Sequence, residues 1–117
     1  MSRRAYGALE TGVLAVLWDA DGPLTPGEVR DALGGDLAYT TVMTVLTRLM
    51  EKGLVTRSAQ GRGFAYTPVQ SRSELAAQRM REILADAGDR AGALTGFVGG
   101  LSKRDAEVLR RIVGEER

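Results

Sequence analysis

Residues 39–52 read Tyr39-Thr40-Thr41-Val42-Met43-Thr44-Val45-Leu46-Thr47-Arg48-Leu49-Met50-Glu51-Lys52, and the periodicity of this stretch decides the fold. Advancing about 100° per residue gathers Val42, Val45, Leu46 and Leu49 on one side, the signature of an amphipathic helix with one buried face. The opposite side carries Thr40, Thr44, Thr47 and Glu51, flanked by Met43 and Arg48. Thr41 brings the threonines to four, although β-branched residues lower helix propensity. Local stability therefore does not explain them. A helix lying in a DNA major groove would use such a face. Threonine hydroxyls can reach phosphates or base edges, threonine methyls and Met43 can meet thymine methyls, and Arg48 can pair with phosphate. Taken alone, the same face also fits a polar surface that is merely tolerated.

The flanking residues place this helix third in an ordered series. Leu9, Val13, Val16, Leu17 and Ala20 follow helical spacing, and Asp21-Gly22-Pro23 stops them. Thr25-Pro26-Gly27-Glu28 predicts a capping box with proline at the first helical position. Val29 and Leu33 give that short helix an apolar edge, and Gly34-Gly35 ends it. Downstream, Gly53 closes the third helix, residues 54–58 have strand character, residues 59–63 read as a turn with two glycines, and residues 64–68 resume a strand. Three helices and a hairpin in that order predict a winged helix, with the second and third helices as the helix-turn-helix and Arg62 at the wing tip. Phe64 and Tyr66 are open to two readings, base stacking or packing on the helical core; two residues apart on a short hairpin, they favour the core.

Beyond Val69 the pattern is helical again. Ser71-Arg72-Ser73-Glu74 is a second capping box, leading into Ala76, Met80, Ile83, Leu84 and Ala87. Leu94, Phe97, Val98 and Leu101 form another apolar stripe, in a stretch weakened by Gly92, Gly96, Gly99 and Gly100. Ser102 with Asp105 caps a last helix bearing Ala106, Leu109 and Val113, with Val108 and Ile112 on the adjacent side. Three such short helices do not easily make a private core, so a two-fold dimer interface is the economical expectation, against folding back onto the winged helix. The expected dimerisation residues are Met80, Ile83, Leu84, Leu94, Phe97, Val98, Leu101, Leu109 and Val113. The fold class is thus mainly α with a small β-hairpin wing: a winged helix-turn-helix DNA-binding domain over 1–70 and a helical dimerisation region over 71–117.

Composition narrows the functional classes. The 117 residues contain no cysteine and no histidine, which removes disulfides, thiolate nucleophiles, Ser-His-Asp triads and metal sites that need sulfur or imidazole. No cofactor or metal is expected. Glu28, Asp31 and Asp36 lie near one another in sequence but lack a partner base or phosphate loop, so they read as cap and solubility residues rather than an active site. The opening Met1-Ser2-Arg3-Arg4-Ala5-Tyr6-Gly7 does not read as a signal peptide, and no apolar run reaches the roughly 18 residues of a membrane span. A cytoplasmic location without membrane insertion is expected. Net charge is only +1, yet no acidic residue occurs between Lys52 and Ser73, a stretch holding Lys52, Arg57, Arg62 and Arg72. That basic stretch is either a solvated face or a set of phosphate contacts, Arg57 and Arg62 being the candidates on the hairpin.

The run from Leu37 to Leu49 that includes Tyr39-Thr40-Thr41-Val42-Met43-Thr44, then Lys52-Gly53-Leu54-Val55 and the wing ending in Tyr66-Thr67-Pro68-Val69, resembles the penicillinase-repressor family of BlaI/MecI/CopY type. The resemblance covers nearly the whole chain and is most specific in the third helix. It implies a homodimeric repressor that binds double-stranded, pseudo-palindromic operator DNA with TACA-type half-sites, controlling resistance or stress genes. By match to its motif, Thr40, Thr41, Thr44 and Arg48 would contact DNA. The chain departs from the family in two places. Copper-responsive members carry a cysteine-rich C-terminal metal site, which a chain without cysteine cannot build. Antibiotic-responsive members answer to a membrane-bound sensor protease and are cleaved in the dimerisation region at an Asn-Phe bond; the corresponding place here reads Thr95-Gly96-Phe97, so Gly96 and Phe97 are the candidate cleavage positions without the asparagine. The competing reading of the whole chain is a winged-helix protein–protein module with no operator.

Overall fold

A computed structural model describes residues 2–116, with side-chain placement for residues 7–114. Met1, where the reading of the N-terminal stretch begins, lies outside them. The elements are α1 (Ser2–Asp19), α2 (Pro26–Ala32), α3 (Tyr39–Glu51), β1 (Val55–Gln60), β2 (Gly63–Pro68), α4 (Arg72–Ala85), α5 (Arg90–Gly99) and α6 (Lys103–Glu116). The chain divides into two compact units, Met1–Leu75 and Ala76–Arg117.

The first unit is a winged helix held by one core. Val13, Leu14 and Leu17 of α1, Val29 of α2, Val42, Val45, Leu46 and Leu49 of α3, then Val55, Tyr66 and Leu75 are all buried and mutually packed. The apolar stripe expected in α3 is the stripe that is buried. In α1 the buried set differs from the expected one: Leu14 is buried, while Leu9, Val16 and Ala20 are half-exposed. The buried arc of α1, which packs against α2, α3 and β2, is therefore turned toward Leu14 relative to the expected stripe.

Local chemistry fixes the helix ends. The Thr25 hydroxyl accepts from the Glu28 backbone N–H at 3.2 Å, and the Glu28 carboxylate accepts from the Thr25 N–H at 2.8 Å, completing the capping box. Ser71 and Glu74 do the same for α4, at 3.1 and 2.8 Å, and Ser102 caps α6 by accepting from the Asp105 N–H. Gly34 and Gly35 both take positive φ after α2, a conformation that side-chain-bearing residues rarely adopt, and this turns the chain into α3.

The hairpin pairs Val55 with Pro68 through Gln60 with Gly63 in antiparallel register. Its turn is tighter than the five residues expected, since only Gly61 and Arg62 lie between the strands. Gly61 has φ +61° and Arg62 has no positive φ, the pattern of a type II′ turn. Side-chain pattern gives no sign of one further pairing. Leu24 forms an isolated bridge with Tyr66, N–H to carbonyl in both directions at 3.0 and 2.7 Å. This fastens the segment before α2 to the wing.

The second unit contains the end of α4, then α5 and α6. Asp89, not singled out in the sequence, is the N-cap of α5 and accepts from the Gly92 N–H at 2.9 Å. Among the described residues of this unit none is buried.

Candidate nucleic-acid interface

The exposed face of α3 carries the residues singled out for it. Thr40, Thr44, Thr47 and Arg48 are exposed, and Thr41 and Met43 are half-exposed, while the four aliphatic residues behind them are sealed in the core. The Thr44 hydroxyl donates to the Thr40 carbonyl at 2.9 Å, a back-bond that helical threonines commonly form. Its proton is thus occupied. What remains outward is an oxygen that can only accept and a methyl group, a pair suited to a base amino group and a thymine methyl.

Of the four cations in the acid-free stretch, two are held elsewhere. Lys52 donates to Glu10 at 2.7 Å, tying the end of α3 to α1. Arg72 lies over the Trp18 ring at 4.9 Å and 3.9 Å from Asp19, while the Trp18 indole N–H donates to the Gln70 carbonyl. Arg57 and Arg62 have no acidic partner among the described residues, and both are exposed on the wing. The basic character of the stretch therefore resolves onto the hairpin.

The two wing aromatics do not share one fate. Tyr66 is fully packed in the core, as expected, but Phe64 is 40% exposed. Both point to the same face of the strand; Phe64 lies nearer the turn and outside the packed cluster. Instead the Arg57 guanidinium sits over its ring, 3.9 Å from the centroid. Between the wing and α3 opens a cleft of about 310 Å³ whose walls include Tyr39, Met43, Gln60 and Phe64. Tyr39, whose place in the helical period marks it for neither face, is 47% exposed at the start of α3 with Arg30 6.0 Å from its ring centroid.

In the second unit Met80, Ile83, Leu94, Phe97, Val98 and Val113 are exposed, and Leu84, Leu101 and Leu109 are half-exposed. Val108 and Ile112, outside the expected set, are exposed too. An apolar cleft of about 540 Å³ lies between α4 and α5, lined by Met80, Ile83, Leu84, Leu94 and Phe97 among others. Gly96 and Phe97 lie on α5, in a segment that is solvent-exposed throughout.

A three-helix core with a paired hairpin and a polar third-helix face defines a winged helix-turn-helix protein. The solved structure of the ferric uptake regulator Fur from Helicobacter pylori shares this fold, with a TM-score of 0.52 and 15% identity over 61% of this chain and 51% of that one. Residues 6–115 match the model of the penicillinase repressor family, and the chain belongs to that family. The transcriptional regulator BlaI of Mycobacterium tuberculosis, in two strains, is 44% identical over 114 residues, 93% of this chain and 83% of that protein. The chain is accordingly a transcriptional regulator of BlaI-like type and not an enzyme. No helix among the described residues is long and apolar enough to cross a membrane.

Proposed function

We propose that the protein represses transcription as a homodimer, each protomer laying α3 in the major groove of one half of a pseudo-palindromic operator and its wing against the neighbouring backbone. The observation that carries this reading is the α3 face: Thr40, Thr44, Thr47 and Arg48 stand in solvent on a helix whose other side is fully sealed. Thr41 and Met43 border it, and Arg57 and Arg62 supply charge from the wing. Membership of a repressor family supports the direction of the regulatory effect. The dimer is supported by the second unit, in which aliphatic and aromatic side chains are displayed without one buried residue among those described. Burying a leucine-sized side chain is worth roughly 1.5–3 kcal/mol, so a self-complementary face of this composition has a strong drive to pair. The reading extends to relief of repression by cleavage of the tail by a membrane-bound sensor protease, with Gly96 and Phe97 as the candidate positions; the exposure of α5 in the protomer supports it.

Titrating two variants against cognate and random duplexes tests the DNA-binding half of this reading. Thr44→Ala removes both the accepting oxygen and the methyl group, and is expected to lose on the order of 1–3 kcal/mol on the cognate site with little change on random DNA. Arg62→Ala is expected to weaken binding to every sequence and to reduce the salt slope by about 1, as one phosphate contact is lost. Equal losses on both duplexes for both variants would remove α3 from the recognition role.

A further inference from the structure

We infer that Arg57, Phe64 and the cleft between α3 and the wing form a clamp for one phosphodiester of the DNA strand that separates the two grooves, with Phe64 positioning the Arg57 guanidinium. This rests on the reading of α3 and the wing as the DNA-binding surface. With α3 in a major groove and the wing at the adjoining minor groove, the sugar–phosphate strand between them passes over the cleft that joins the two elements.

The cleft has the chemistry for that occupant. Its nine lining residues include no charged side chain, so nothing there repels a phosphate. Met43 and Phe64 offer apolar surface to a deoxyribose, while Tyr39 and Gln60 at its walls carry a hydroxyl and an amide that can donate. The charge comes from Arg57 on β1, which is not itself a wall of the cleft but stacks on Phe64, which is. Its cross-strand partner is Tyr66, which places Arg57 on the same face as Phe64, with Phe64 one diagonal step nearer the turn.

Phe64 has no evident role in the core of the first unit, since it lies outside the packed cluster and its closest described charged partner is the guanidinium at 3.9 Å. Stacking engages the flat face of a guanidinium and leaves its in-plane N–H donors pointing outward. A long, rotamer-rich arginine is thereby held in one orientation before DNA arrives, which lowers the ordering cost of the phosphate contact. The clamp reads no base. It sets where the backbone sits relative to α3.

The test titrates intact wild type, Arg57→Ala, Phe64→Leu, Phe64→Trp and the Arg57→Ala/Phe64→Leu double variant over a range of salt concentrations. Each is measured against a duplex carrying the selected site and a random duplex, with Thr44→Ala as a control. Phe64→Leu is expected to weaken binding to both duplexes by roughly two- to fivefold and to lower the salt slope toward that of Arg57→Ala, itself reduced by about 1. The double variant is expected to bind no more weakly than Arg57→Ala alone, and Phe64→Trp, which keeps a stacking platform, is expected to bind like wild type. Unfolding curves for Phe64→Leu matching wild type would separate positioning from stability, and Phe64→Trp supplies the comparison if they do not. A Phe64→Leu protein that binds as wild type does, a loss that adds in full to that of Arg57→Ala, or a Phe64→Trp protein as weak as Phe64→Leu would overturn the clamp. If Thr44→Ala loses cognate binding selectively while Phe64→Leu is silent, the clamp alone fails; if wild type prefers no site, the DNA-binding reading fails and the clamp with it.

Discussion

Placing aspartate at Ile83 or Phe97 is expected to convert the protein to monomers and to lower its operator affinity by roughly 10² to 10⁴, the effective-concentration gain that a second, linked half-site supplies. These two positions are chosen because they are 72% and 49% exposed. Within a single protomer an exposed aspartate disturbs little, so the first unit is expected to unfold at an unchanged temperature. Across a two-fold interface every substitution occurs twice, and each replaces a burial worth roughly 1.5–3 kcal/mol with a carboxylate that must be desolvated. Leu109, half-exposed in the protomer, is a less discriminating position, because its replacement disturbs the helix packing as well. Sedimentation of the variants at micromolar concentration, beside operator titration, checks both halves of the expectation. Variants that remain dimeric, or monomers that bind the operator undiminished, would contradict it.

Limited proteolysis is expected to cut first near the Gly96-Phe97 bond and to release an N-terminal fragment that stays folded but binds the operator about 10² to 10⁴ times more weakly. Every buried side chain of the described residues lies at or before Leu75, so losing α5 and α6 leaves the winged-helix core whole. The target helix is ten residues long, exposed throughout in the single protomer, and contains Gly92, Gly96 and Gly99. Each interior glycine costs about 1 kcal/mol relative to alanine, which raises the population of locally opened chain that a protease can engage. A methyl group at Gly96 or Gly99 would meet nothing within 4 Å. Gly96→Ala is therefore expected to slow the first cut by roughly fivefold, about 1 kcal/mol of helix stability, and Gly99→Ala, at the last helical residue, by less. Gly92 is unsuited to this test, since a Cβ there would run into the Asp89 carboxylate that caps the helix. Mass spectrometry of the earliest product reads the position; a first cut confined to the wing, or a fragment that binds as tightly as the intact chain, would dismiss this route of release.

What was legible in the sequence was local in origin. The buried stripe of α3 and its polar back follow from helical period alone, and both capping boxes follow from residue types three apart; the structure contains them as expected. Features set by distant contacts were not legible. The bridge of Leu24 to Tyr66 joins backbone groups 42 positions apart and leaves no mark on side-chain pattern. Alternation places Phe64 and Tyr66 on one face but does not say where the helices beneath that face end, so the exposure of Phe64 and its stacking with Arg57 went unseen. An acid-free stretch likewise shows where cations cluster along the chain, not that Lys52 and Arg72 are engaged by Glu10 and Asp19 of α1. Tyr39 reads as an ordinary first residue of a helix until the wing is folded beside it.

The central claim, that this chain reads a two-fold-symmetric DNA site through α3, is tested most directly by selecting bound sequences from random double-stranded DNA with the intact protein. Two inverted copies of one short motif are expected, their centres about one helical turn apart, roughly 10 base pairs, or a multiple of it. Thr44→Ala carried through the same selection is expected to relax the preference at one position in each copy. Recovery of no enriched sequence, or of a single motif without an inverted partner, would contradict the account.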